Sequence, residues 1–67
     1  MKNKTAKSMA KWSLDLFKAG MHTCKSEKDL LEDQQKSRNL FNKGTKQYIY
    51  YNVKLIEIRR LLKKEKS

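Results

Sequence analysis

From Gln47 to Lys66 the chain reads QYIYYNVKLIEIRRLLKKEK, and this stretch limits what the remaining residues can build. Tyr48, Tyr51, Leu55, Ile58 and Leu62 recur at alternating spacings of 3 and 4, which places them along one side of an α-helix. Ile49, Val53 and Ile56 form a second stripe well round the same cylinder. A surface helix needs one apolar stripe, so two predict a helix covered on two sides. Residues 48–55 also alternate in the strand period, with Ile49, Tyr51, Val53 and Leu55 on one side. No other run in the chain offers a strand to pair with, and an unpaired edge leaves backbone groups unsatisfied. The spacing therefore predicts a helix over 46–65, with an edge strand at 48–55 as its competitor.

The earlier part of the chain is punctuated by two glycines and no proline. Residues 5–20 have a broad apolar face of Met9, Ala10, Trp12, Ser13, Leu14, Leu16 and Phe17, opposite Lys4, Lys7, Lys11, Asp15 and Lys18. Thr5 is the expected N-cap, with Ser8 nearly as suitable, and Gly20 the expected left-handed residue after the helix, with Met21 packing back on the last turn. His22 to Lys25 form a connector. Ser26-Glu27-Lys28-Asp29 has the form of a capping box and opens a second helix, expected over 27–43 and closed by Gly44. Its acids gather in the first turns and Lys36, Arg38 and Lys43 toward the end, the polarity that the helix dipole favours. The apolar content of this helix is thin: Leu30, Leu31, Leu40 and Phe41. The expected fold is all-α, a single small domain of three helices near 5–20, 27–43 and 46–65. A chain of this length buries only about 60% of its unfolded surface, so self-association or a partner chain is expected to complete it.

Charge decides the expected function. Lys and Arg number 17 against 7 acids, a formal net charge of +10 on 67 residues, which creates a field that attracts polyanions. The cations cluster at Lys2, Lys4, Lys7 and Lys11 near the start, and at Arg59, Arg60, Lys63, Lys64 and Lys66 near the end. Grouped in this way they suit phosphate contacts. Arg59 and Arg60 are the leading pair, because guanidinium grips phosphate bidentately. Lys63, Lys64, Lys4, Lys7 and Lys11 are the supporting cations, and Tyr50, outside both stripes, is the candidate for stacking on a base. Whether the two basic ends merge in space is left open by the sequence.

DNA or RNA is therefore the expected partner. The competing reading is a small inhibitor or adaptor docked on an acidic surface of a larger protein, with Tyr48, Ile49, Val53 and Ile56 as its apolar anchors. A third places the first helix on a membrane surface with Trp12 and Phe17 inserted. No enzymatic activity, cofactor or small-molecule substrate is expected: the chain has no glycine-rich phosphate loop, and His22 beside Cys24 lacks a third, orienting group. A four-ligand zinc site is not expected either, since His22 and Cys24 are the only soft ligands. No apolar run approaches the roughly 18 residues of a membrane span, no secretory signal is read at the start, and the lone cysteine suits a reducing, cytoplasmic setting.

The segment VKLIEIRRLLKKEK resembles the closing helix of the small hairpin protein of the large ribosomal subunit, a short, basic, helical family whose resemblance implies binding to ribosomal RNA. That family's glycine-containing turn is missing here. KQYIYYNVKLIEIRRLL is similar to the wing-and-helix tail of small excisionase-like DNA binders, with no helix-turn-helix reader ahead of it. The chain is assigned to neither family.

Overall fold

The computed structural model describes residues 3–66, and side chains over residues 5–65. It contains three helices, α1 (Asn3–Lys18), α2 (Glu27–Asn39) and α3 (Lys46–Lys66), and no strand among the described residues. Residues 48–55 are helical throughout, which removes the edge-strand alternative.

Local chemistry sets most of the boundaries. The Gly20 N–H bonds to the Phe17 carbonyl at 3.1 Å and the Met21 N–H to the Leu16 carbonyl at 2.9 Å, with Gly20 at φ +75. This is a Schellman closure, which needs a left-handed residue where glycine stands. Met21 itself stays exposed and does not pack back on α1. Neither Thr5 nor Ser8 is the N-cap, because α1 already begins at Asn3 and both lie inside it. At α2, Ser26 is extended (φ −135, ψ 159) and its Oγ accepts the Asp29 N–H at 3.1 Å, capping the helix as expected.

Helix α2 ends at Asn39 rather than near residue 43. The chain leaves the helix axis there, and the Phe41 ring lies parallel to that of Tyr51, 6.0 Å between centroids. Gly44 (φ +93) consequently does not close α2. It occupies the third position of a turn in which the Thr45 N–H bonds to the Asn42 carbonyl at 3.1 Å. Thr45 then caps α3, its Oγ1 accepting the Tyr48 N–H at 3.1 Å.

Helix α3 packs along both other helices, while α1 and α2 meet each other only weakly. The lower part of the expected seam enters the core: Leu55, Ile58 and Leu62 are buried, and Ile58 and Leu62 cluster with Leu30 of α2 and Leu14 and Ala10 of α1. The α1 contact differs from expectation. Trp12 is 57% exposed, whereas Ala6, Ala10 and Ser13 are buried. Three small side chains on one face let the two helices approach closely, and the indole is left outside that contact. Leu30, Leu55 and Ile58 are the largest fully buried side chains, so the core is small. Gln34 lies within it, 3% exposed; its Nε2 donates to Asp33 Oδ2 at 3.3 Å and its Oε1 finds no protein partner.

Lys18 pairs with Glu65, and the positive charge of Lys7 reaches Glu57. These two contacts fix α1 and α3 as running in the same direction. The basic end of α3 thus lies beside the end of α1, not its start, and the two basic segments do not merge at one pole.

Candidate nucleic-acid interface

The residues singled out on α3 divide between two sides of the helix. Tyr48 is half-buried beneath the Arg38 guanidinium, 5.5 Å from its ring centroid, and Arg38 Nη1 donates to Asn52 Oδ1 at 3.1 Å. Tyr50, expected as a base-stacking ring, is half-buried and meets Tyr51 edge-on at 5.1 Å. Burial, then the neighbouring Tyr51, pushes its phenol above the ordinary range. One residue from Ile49 is about 100° of rotation, so Tyr50 does not share the face of Ile49.

The second stripe is not covered by this chain. Ile49 is 37% exposed, Ile56 is 55% exposed and Val53 is half-exposed. Seven residues nearly complete two helical turns, so Ile49, Ile56 and Lys63 stand in one column. Asn52 and Arg59 form a parallel column on the α2 side, and Val53 and Arg60 one on the other. The outward face of α3 is therefore apolar in its first half and basic in its second. Helix α3 is indeed covered on two sides, but by its seam and the residues beside it, not by its second stripe.

Acids are absent from that face among the described residues. Glu57 is 8% exposed. Arg60 Nε donates to Glu57 Oε1 at 3.1 Å and Nη2 to Oε2 at 2.6 Å. These bonds from Arg60, with its charge and that of Lys7, hold the Glu57 carboxyl below the usual range against the opposing effect of burial. Glu65 is turned to Lys18. The α2 acids act elsewhere: Asp33 and Asp29 reach the Cys24 thiol, which burial and then Asp33 push up, and Asp33 partly offsets the burial that lowers Lys54.

The two arginines are thus unequal. Arg60 spends its fork on Glu57, whereas Arg59 is exposed with no ion-pair partner among the described residues. Lys63 and Lys64 are exposed beside it. Lys7 and Lys11 are exposed on α1, Lys11 3.7 Å from Asp15, at the level of the middle of α3. The Lys4 side chain lies outside the described residues. Asn52 and Arg38 were not among the sequence candidates; the seven-residue step from Asn52 to Arg59 was the available signal for the first. Arg38 is legible only through contacts between helices.

In the connector, the Cys24 N–H donates to His22 Nδ1 at 3.0 Å, and Cys24 packs partly against the core. No group of three or more His, Cys, Asp or Glu side chains placed to hold a metal ion occurs among the described residues. None of the described helices is long and apolar enough to cross a membrane. No protein-family model matches the sequence, and no curated protein or solved structure matches it either.

Proposed function

We propose that this protein holds nucleic acid by its phosphate backbone through the basic half of α3's outward face. Arg59, Lys63 and Lys64 are the principal contacts, with Lys7 and Lys11 as outlying cations. The observation that carries the reading is the exposure of Arg59 and Lys63 on the outward face of α3, with exposed Lys64 flanking it and no outward-facing acid among the described residues there. Phosphates neutralised there release condensed counterions, so binding is salt-dependent and largely indifferent to sequence. Arg60 acts indirectly, keeping Glu57 from presenting negative charge beside the site. Such a partner, together with a lone half-buried cysteine, fits an intracellular setting.

Fluorescence anisotropy with generic DNA and RNA duplexes, titrated from about 50 to 300 mM salt, tests this. Three phosphate contacts give a log–log slope near −2.7 on DNA, and Arg59→Ala lowers its magnitude by about 1. An absence of micromolar binding even at the lowest salt contradicts the reading. A second reading, an adaptor or inhibitor docked on an acidic protein surface, is favoured by one observation: exposed Ile49 and Ile56 have no part in phosphate contact.

A further inference from the structure

The outward face of α3 has more on it than phosphate contact uses. From Ile49 to Lys63 it runs straight for about 21 Å at ~1.5 Å per residue, and its first half is made of Ile49, Val53 and Ile56. Exposed branched aliphatics followed in their own column by Lys63, and in the neighbouring one by Arg59, form a surface that a polyanion alone half-fills. A second copy of this chain fits it poorly. Two-fold pairing with the helices parallel sets cation against cation, and antiparallel pairing of the whole face sets Ile49 against Lys63; neither brings an acid to Arg59 or Lys63, because Glu57 is buried under Arg60 and Glu65 is turned to Lys18.

We infer that this face docks an acidic amphipathic helix of a partner protein, which thereby competes with nucleic acid. The partner's apolar stripe lies on Ile49, Val53 and Ile56, and its carboxylates meet Arg59 and Lys63. Antiparallel seating is the fitting orientation: the partner's first turns, where the helix dipole favours carboxylates, then lie over the basic end of α3. Because Arg59 and Lys63 serve both ligands, the two exclude each other, and a helix that also gains apolar contact displaces the duplex. Docking deepens the adaptor reading and stands without nucleic acid; only the competition rests on the phosphate-contact reading.

The test uses the full chain and a labelled synthetic helix, glutamate-rich in its N-terminal half, with leucines at three- and four-residue spacing in its C-terminal half. A permuted peptide of equal composition, its leucines scattered round the helix, is the control. The designed helix is expected to bind at micromolar affinity, and the permuted one about tenfold more weakly or worse. Ile56→Ser, an uncharged change at an exposed position, is expected to lose about tenfold for the helix while changing duplex affinity by about twofold at most. Arg59→Ala weakens both ligands, and excess helix releases bound duplex. Equal affinity for designed and permuted peptides, or no peptide binding, overturns the docking proposal; helix binding without duplex release overturns the competition. If the duplex never binds at any salt, the nucleic-acid reading and the competition fail, while the comparison of peptides with the unmodified protein still decides docking.

Discussion

Glu57 shows how one residue can serve both the fold and the binding face. Its carboxylate lies at the edge of a small apolar core, a position that is costly for a charge unless it is bonded. Arg60 supplies two bonds from one turn away, and Lys7 adds its field from α1. Because the folded-state pKa is depressed, the stability that Glu57 contributes is fully present above its unfolded value of about 4.3. That contribution fades as pH falls through the lower, folded value. Thermal melts across pH 2–7 are therefore expected to show an acid-side loss that Glu57→Gln reduces, and identical acid limbs for the two proteins would contradict the pairing. Arg60→Ala is expected to lower the melting temperature at neutral pH, since it leaves a buried carboxylate without its main partner.

Among the helices, α2 is the weak element. It contributes Leu30 and part of Leu31, and spends a third inward position on Gln34, whose Oε1 is unmatched. A buried polar atom without a partner costs free energy that an apolar side chain of similar volume does not. Gln34→Met is expected to stabilise the protein by about 1 kcal/mol, raising the melting temperature by about 4–8 °C. An unchanged or lower value would mean that the amide is matched in solution. The elements differ in how much of them the sequence discloses. The seam from Tyr48 to Leu62, the Ser26 cap and the Gly20 closure are written in local spacing and backbone chemistry, which act wherever the chain lies. Trp12 and Phe41 are not. Trp12 is left out because three small residues give α1 a closer contact with α3, and Phe41 leaves α2 to lie against Tyr51. Both outcomes depend on a neighbouring helix that no local pattern specifies.

At the scale of the whole molecule, the direction of α1 relative to α3 decides where the charge goes. Running in the same direction, they place Lys7 and Lys11 beside the middle of α3 and leave Arg59, Lys63 and Lys64 as a separate basic end. The α2 acids act on the other side, on Cys24 and Lys54. The sequence disclosed the charge and the two apolar stripes of α3. It did not disclose that one stripe would stay exposed in line with Lys63 and beside Arg59, because that depends on which sides of α3 the other two helices occupy. The outward face of α3 thus sets exposed aliphatics directly ahead of exposed cations. Its role in binding is the central claim, and mapping backbone amide NMR shifts of the full chain during titration with a short duplex tests it most directly. Shifts concentrated at Arg59, Lys63 and Lys64, with smaller ones at Lys7 and Lys11, are the predicted result. Shifts centred instead on Trp12 or on the acids of α2, or none at low salt, would contradict it.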